Sequence, residues 1–201
     1  PTPDISQIEE IAHFPLLFHD DPKQVFLLGG GIAGVVDLLL QHNLTSIDYA
    51  ELDPLLINTV ETYIPDSISS IQRSNKVFIH NFDGRYYLLN TEKEYDVIII
   101  FLPPPSTLVL NRFYTSEFFE LCRSRLKKDG ILYFQIPGSS SYMNIPLIKK
   151  EHIIITTAFT VSDKNIRVCV IIDIYKIDRT GTSAVVDNIS GRYFCKILGR
   201  N

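Results

Sequence analysis

Residues 24–34 read QVFLLGGGIAG, an apolar run that ends in a cluster of glycines. The run predicts a buried strand, and the VVDLLLQHN that follows it is typical of a helix. Gly29, Gly31 and Gly34 have the G-x-G-x-x-G spacing at this junction, where glycines permit a tight turn and the helix end offers free N–H groups. A glycine turn can also be purely structural, so a nucleotide site and a structural turn are both open interpretations at this point.

The alternation of strand and helix continues on both sides of this turn. Apolar runs predict further strands at residues 45–51, 76–80, 95–101 and 131–137. Several of these runs are apolar on both faces, which indicates a parallel sheet covered by helices on both sides. The fold class is therefore α/β, and a short amphipathic helix at residues 5–14 leads into it.

Helix boundaries are marked by capping residues. Asp53 and Pro54 supply an N-cap and a first-turn proline for the helix LLINTVETY, which Pro65 ends. Residues 81–89 predict a turn followed by a short helix. Thr115 caps a helix at residues 116–128, whose basic residues favour the dipole of the last turn and which Gly130 ends.

Beyond Pro137 the sequence becomes rich in strand-forming residues. Strands that complete the sheet edge or form a small extension are predicted at residues 152–160, 166–177 and 191–198. The segment GSSSYMNIP before them favours a loop or hinge. We expect a single domain over residues 1–201, divided into a lead-in helix and linker at 1–22, a nucleotide-binding core at 23–142 and a β-rich C-terminal extension at 143–201.

Composition excludes several classes of protein. The chain has 201 residues, 45% of them hydrophobic and 21% charged, and its net charge of -4 offers no basic surface to nucleic acid. Three widely spaced cysteines lack zinc-ligand spacing, so we expect reduced thiols, a cytoplasmic protein and no metal. The longest apolar run without glycine, residues 97–102, is too short to cross a bilayer. Pro1 in place of methionine leaves open simple processing or a piece of a longer protein.

Two acidic residues strengthen the nucleotide interpretation. Glu51 ends the second predicted strand, where a carboxylate accepts hydrogen bonds from both ribose hydroxyls. Asp83, after the third strand, is placed to meet an adenine edge. Because ligands bind at the carboxyl ends of the strands in open α/β sheets, three loops converge on one crevice. NAD is the obvious rival ligand, but no downstream residue has the character of a dehydrogenase's catalytic group, and the β-rich end suits an S-adenosylmethionine-type sheet.

A family resemblance rests on six segments in order. They are EEIAHFPLLFHDDPKQVFLLGGGIAG, YAELDPLLI, FDGRYYL, YDVIII, NRFYTSEFFE and LKKDGILYFQIP. Over residues 5–142 the chain resembles the spermidine synthase (aminopropyltransferase) family, and most of all the bacterial branch in which this domain is often attached to a membrane segment. The resemblance implies a class-I S-adenosylmethionine-dependent methyltransferase-like, Rossmann-like fold. It also implies decarboxylated S-adenosylmethionine as substrate, a small-molecule amine acceptor and a homodimer.

The resemblance also assigns the ligand-binding residues. Those that hold the methionine-derived part and the ribose are Gly29, Gly30, Gly31, Gly34 and Glu51. Asp83 with Gly84 holds the adenine. These positions are intact in the chain.

The chain departs from the family at the reacting centre. Family members carry an aspartate after the fourth strand and usually another acid three residues on, and those positions are Phe101 and Pro104 here. Ile32 stands where the glycine motif usually continues with an aspartate or, in the branch above, an apolar residue. Pro103 to Pro105, with fixed φ and no N–H, predict a stiff rim at the crevice that needs no partner. The family's N-terminal hairpin, which helps to form the amine pocket, precedes the segment that is matched here.

Other residues are candidates to replace the missing acids. Tyr114 and Arg112 follow the prolines and line the pocket or pack at a helix entry, and Gln135 ends the fifth strand within reach of it. His13 lies where the family often has a histidine near the cofactor, although a packing role is equally open. Asp96 is expected to face away from the crevice.

The family reaction is aminopropyl transfer to a polyamine, and the replaced acids argue against it on putrescine. Two alternatives stay open. One is an S-adenosylmethionine-dependent methyltransferase for a less charged acceptor, which the apolar residues 101–105 suit better. The other is a non-catalytic domain that binds a ligand or a partner.

Overall fold

A computed structural model describes residues 5–65, 68–139, 167–175 and 194–197 of the protein. Its strands are β1 Gln24–Leu28, β2 Ser46–Ala50, β3 Val77–His80, β4 Tyr95–Ile100, β5 Leu126–Ser139, β6 Arg167–Tyr175 and β7 Phe194–Ile197. Its helices are α1 Ile5–Leu17, α2 Val35–Leu39, α3 Pro54–Tyr63, α4 Ser69–Arg73, α5 Gly84–Asn90, α6 Leu108–Asn111 and α7 Ser116–Ser124, with a short 3-10 turn at Gly31–Ala33 before α2.

The strands form one sheet in the order β3-β2-β1-β4-β5-β6-β7. The pairs from β3 to β6 are all parallel, and β7 runs antiparallel to β6. The predicted runs at 166–177 and 191–198 therefore do extend the sheet edge. The predicted strand at 152–160 and most of the predicted loop at 138–146 lie outside the described residues.

Helices cover both faces of the sheet, as predicted. One buried cluster, which includes Ile11, Leu39 and Tyr49, lies where α1 and α2 pack on the strands. The cluster on the opposite face includes Leu88 of α5 and Phe118 of α7. All of β4 is buried, because a central parallel strand is covered on both sides.

The end of α7 differs from the prediction. The helix ends at Ser124, so the basic residues after it belong to β5 and its approach, and Gly130 does not end the helix. Arg125 donates from its side chain to the carbonyls of Leu88 and Leu89, at 2.8 and 3.3 Å, and its own carbonyl accepts from the Tyr95 N–H at 2.8 Å. These contacts place Arg125 next to β4 and α5, so the chain leaves the helix here although helix propensity alone favours a longer α7.

Other helices are also shorter than predicted, or were not predicted at all. α2 ends at Leu39, before the end of the VVDLLLQHN segment, and neither α4 nor α6 was predicted. Helices of four or five residues carry too few periodic positions to be recognised from sequence. Among the residues that the structure describes, every helix is too short or too polar to span a membrane.

Candidate functional site

Four strands end level with one another at one edge of the sheet. The register pairs Leu28 with both Ala50 and Ile100, and Ala50 with His80. Three backbone hydrogen bonds extend this alignment by one residue. The N–H groups of Gly29, Glu51 and Phe101 donate to the carbonyls of Ala50, His80 and Leu28 at 3.1, 3.0 and 2.9 Å, respectively. The glycine turn, Glu51 and Phe101 therefore stand side by side, and the loop of Asp83 follows the neighbouring strand end.

The glycine turn has a backbone that side chains would strain. Gly29, Gly30 and Gly34 have φ values of 76°, 68° and 104°, in the left-handed region that favours glycine. A Cβ atom on Gly29 would lie 2.7 Å from the Phe101 carbonyl oxygen, and one on Gly30 would lie 2.0 Å from the Phe101 Cδ1. The turn thus requires glycine both for its backbone conformation and for the close approach of the segment after β4.

Phe101 lies directly against the glycine turn. Its ring is partly buried and packs on the core cluster that contains Tyr49. The position where the family resemblance leads us to expect a catalytic acid thus carries an aromatic ring close to Gly30. Pro104, the second such position, is exposed.

Glu51 is held by a tyrosine that the sequence analysis missed. Tyr49 is fully buried, and its hydroxyl donates to Glu51 Oε2 at 2.7 Å. A Cβ on Gly31 would lie 2.5 Å from the Tyr49 ring, so the ring also supports the glycine turn. Burial, together with the Glu51 carboxylate, raises the pKa of Tyr49 far above its ordinary value. The signal was available, because residues two apart on a strand share a face.

Asp83 is engaged at both carboxylate oxygens. Oδ1 accepts from the Arg85 N–H at 2.9 Å and caps α5, while Oδ2 lies 2.7 Å from Nη2 of Arg112. A Cβ on Gly84 would lie 2.4 Å from Leu28 Cδ1, so only glycine lets α5 approach the end of β1 this closely. Asp83 and Gly84 thus follow the end of β3 at the start of α5, and Arg112 is an additional contact of Asp83.

The proline rim does have a partner, contrary to the prediction. The Tyr114 hydroxyl donates to the carbonyls of Leu102 and Pro103, at 3.1 and 3.0 Å. Burial raises the pKa of Tyr114 to about 12. Tyr114 therefore acts as a hydrogen-bond donor that holds the rim in place. A hydroxyl in this position and with this pKa is a poor proton acceptor near neutral pH.

The remaining candidates either lie at the other edge of the sheet or are hydrogen-bonded to other parts of the chain. Gln135 accepts from the Gln7 side chain at 2.9 Å and so joins α1 to β5. His13 Nδ1 lies 2.8 Å from Nε2 of His42, which follows α2 at the amino edge of the sheet, away from the loops after the strands. Asp96 accepts from the N–H groups before β1 and at its first residue, at the edge opposite the crevice, as predicted.

A buried polar network supports the loop that leads into α5. Asp48 is fully buried, and its carboxylate lies 2.7 Å from His80 Nε2, 3.0 Å from Lys93 Nζ and 3.1 Å from the Tyr87 hydroxyl, with the Tyr95 hydroxyl at 3.3 Å. Burial alone would raise the pKa of Asp48, but the hydrogen bonds from His80 and Lys93 lower it below its ordinary value. This network was not predictable from the sequence, because its members come from four separate segments.

Comparisons with known proteins agree with the geometry. A family model described as the spermine/spermidine synthase domain matches residues 5–172. The polyamine aminopropyltransferase of Lachnospira eligens is 35% identical over 135 residues, which are 67% of this chain and 46% of that protein. The polyamine aminopropyltransferase of Methanocaldococcus jannaschii is 34% identical over 142 residues, which are 70% of this chain and 47% of that protein. The chain thus spans about half the length of the curated relatives it matches.

Solved structures give the same result. A spermidine synthase from Thermotoga maritima aligns with a TM-score of 0.60 and 26% identity, over 77% of this chain and 51% of that one. A spermidine synthase in complex with the transition state analogue AdoDATO aligns with a TM-score of 0.63 and 26% identity, over 77% of this chain and 52% of that one. The fold is the class-I methyltransferase-like fold of these enzymes. The chain belongs to the spermine/spermidine synthase family.

Proposed function

We propose that the crevice binds S-adenosylmethionine or its decarboxylated form and that the domain belongs to an aminopropyl-transferring enzyme. The observation that carries this proposal is the level alignment of the strand ends, which brings the glycine turn, Glu51 and the Asp83 loop to one edge. Relatives named polyamine aminopropyltransferases support the reaction class. A related spermidine synthase binds a transition state analogue, AdoDATO, which supports the ligand class.

Each residue has a chemical role in this proposal. The glycine turn contributes its backbone to the site, and Phe101 and Tyr49 occupy the space that side chains on Gly30 and Gly31 would fill. Glu51, which is partly exposed, accepts hydrogen bonds from the ribose hydroxyls, and Tyr49 holds its carboxylate in place. Asp83 accepts from the amino group of adenine. The positive charge on the sulfonium favours a site with these carboxylates near it.

The transfer itself breaks one carbon–sulfur bond and forms one carbon–nitrogen bond. The lone pair of a neutral amine attacks the aminopropyl carbon next to sulfur, the C–S bond breaks, methylthioadenosine leaves and the amine loses a proton. An acid side chain after β4 would orient the amine and accept that proton. Phe101 and Pro104 do neither, and residues 101–111 contain no charged side chain. We therefore propose that turnover with a polycation such as putrescine is slow.

Two further candidates each follow from a specific observation. The apolar residues 101–105, of which the three prolines are exposed, favour methyl transfer to a less charged acceptor. The contact of Phe101 with Gly30, together with the ion pair between Asp83 and Arg112, favours ligand binding without turnover. The homodimer that the family resemblance implies stays a prediction.

Calorimetry tests the ligand directly. The protein is titrated with S-adenosylmethionine, its decarboxylated form and methylthioadenosine, and binding of none of them refutes the proposal. Glu51→Ala should weaken binding by about 1 to 3 kcal/mol, the scale of a hydrogen bond to a charged group. Glu92→Ala, which removes an exposed carboxylate from the loop after α5, is the matched control. Unchanged affinity in Glu51→Ala would exclude Glu51 from the site.

A transfer assay then separates the three functions. Release of methylthioadenosine from decarboxylated S-adenosylmethionine with an amine panel indicates aminopropyl transfer. Release of S-adenosylhomocysteine from S-adenosylmethionine indicates methyl transfer. Binding with neither product over long incubation indicates a ligand-binding domain. Restoring both acids, by Phe101→Asp with Pro104→Asp, should raise the putrescine rate if their loss limits it.

A further inference from the structure

An ion pair between Arg112 and Asp83 lies where the purine base would bind under the proposed function. Nη2 of Arg112 lies 2.7 Å from Oδ2 of Asp83, the oxygen that the α5 cap leaves available. Only 22% of the Asp83 side chain is exposed, and the guanidinium covers its outer oxygen. Both oxygens of Asp83 therefore already have a donor, the Arg85 N–H and the Arg112 guanidinium.

Arg112 is itself held in position by three contacts. Its Nε donates to the Val109 carbonyl at 3.1 Å, and its guanidinium lies 4.7 Å from the centre of the Phe113 ring. Its backbone carbonyl accepts from the Arg85 side chain at 2.9 Å. The pair thus joins the segment after the proline rim to the residue that caps α5.

We propose that Arg112 competes with the purine base for Asp83 and so sets the base selectivity of the site. This inference rests on the proposed function, because it requires a nucleoside in the crevice. A 6-amino purine brings its own donor to Oδ2 and replaces the guanidinium, so its affinity is reduced by the ion pair that it breaks. A 6-oxo purine presents an acceptor, which the carboxylate repels and the guanidinium attracts, so it binds with the pair intact.

Arg112 therefore narrows the preference for adenine that Asp83 alone would impose. A site built to accept a hydrogen bond rejects ligands that leave the carboxylate unpaired. With Arg112 present the carboxylate has a donor whichever base is bound, the amino group of a 6-amino purine or the guanidinium beside a 6-oxo purine. Arg112 is in this sense a positioning residue that acts through Asp83.

The test is calorimetric titration of four proteins with 5′-methylthioadenosine and 5′-methylthioinosine, which are uncharged and differ at position 6 of the base. The proteins are the wild type, Arg112→Gln, Asp83→Asn and a control, Arg123→Gln. Arg123 forms a comparable ion pair with Glu120 on α7, at 2.6 Å. Thermal unfolding of each variant establishes that it is folded.

We expect Arg112→Gln to bind methylthioadenosine about two- to fivefold more tightly, the scale of a partly exposed ion pair. Its affinity for methylthioinosine should be unchanged or lower, so the ratio of the two affinities rises. Asp83→Asn should shift the ratio toward methylthioinosine, because an amide can donate to the 6-oxo group. Arg123→Gln should match the wild type.

Several results would overturn the inference. If the wild type binds and Arg112→Gln binds methylthioadenosine equally or more weakly, the guanidinium and the base share Asp83 and do not compete. An unchanged ratio in Asp83→Asn means that Asp83 does not meet the base. If none of the four proteins binds either nucleoside, the proposed function itself fails, whereas binding by Arg112→Gln alone supports the competition strongly.

Discussion

Substitution of Gly30 by alanine tests how Phe101 and the glycine turn are arranged. Gly30 has φ 68° and ψ 4°, and a Cβ there would lie 2.0 Å from Cδ1 and 2.7 Å from Cε1 of the Phe101 ring. Both distances are far shorter than van der Waals contact, so the ring must move. Gly34 offers a matched control, since its φ is also positive, at 104°, but the nearest atom to its Cβ is 3.9 Å away.

The two substitutions separate backbone strain from overpacking. A left-handed conformation costs a residue with a side chain about 1 to 2 kcal/mol, and this term applies to both alanine variants. Overpacking costs about 1 to 3 kcal/mol more, and it applies only where the ring is displaced. We therefore expect Gly30→Ala to lower the free energy of unfolding by about 2 to 5 kcal/mol and Gly34→Ala by about 1 to 2 kcal/mol.

Urea unfolding of a double-mutant cycle measures the contact itself. Phe101→Ala removes the ring, so it should suppress the overpacking component of Gly30→Ala while leaving the strain. The coupling free energy between the two substitutions should be about 1 to 3 kcal/mol. A coupling near zero, with equal losses for Gly30→Ala and Gly34→Ala, would refute the placement of Phe101 over the turn and with it the argument that this ring fills the acid position.

Three further predictions concern the polar groups around the site. Asp48→Ala should destabilise the protein by about 3 to 5 kcal/mol because it leaves buried donors unpaired. Lys93→Met should cost only about 1 kcal/mol because 49% of the Lys93 side chain is exposed. Equal losses of the two variants in urea unfolding would contradict this difference. Burial raises the pKa of Asp96, but backbone N–H donors and a lysine outweigh this effect and lower the pKa below its unfolded value of 3.8. The stability that Asp96 contributes is therefore present above that pH and lost on further acidification. Asp96→Asn should reduce this acid dependence. Tyr114→Phe should lower stability by about 1 kcal/mol without changing the pH profile of any transfer reaction, and loss of an alkaline limb in that profile would indicate a proton-accepting role instead.

The parts of the fold that the sequence predicted are those fixed by local chemistry. Asp53 caps α3 by accepting from the Leu55 N–H at 2.9 Å, and Thr115 caps α7 by accepting from the Phe118 N–H at 3.3 Å. Each cap bonds a residue two or three positions away, so it is visible in the sequence. The apolar runs that became β1 to β5 are similar, because burial on both faces requires continuous hydrophobic residues.

The parts that the sequence did not predict depend on contacts between distant segments. Tyr114 was a pocket candidate, but its hydroxyl bonds the carbonyls of the proline rim, whose position the sequence does not specify. The partner of His13 is 29 residues away, and the partner of Asp83 at Arg112 is 29 residues away as well. No spacing rule connects such residues until the order of the strands is known.

The two carboxylates of the crevice differ in their electrostatic state, and this difference bears on the ligand. Glu51 accepts from the Tyr49 hydroxyl, which brings no charge, whereas Asp83 is paired with the Arg112 guanidinium. The loop after β2 presents two carboxylates, Glu51 and Asp53, and residues 101–111 contain no charged side chain. S-adenosylmethionine carries a net single positive charge and its decarboxylated form carries two, and a polyamine acceptor adds further positive charge. We infer that residues 101–111 do not neutralise a polycation bound next to the sulfonium. If the crevice binds its ligand as proposed, Phe101 and Pro104 in place of acids would weaken the amine half of the reaction more than ligand binding, because Glu51 and the glycine turn are present while residues 101–111 carry no charge.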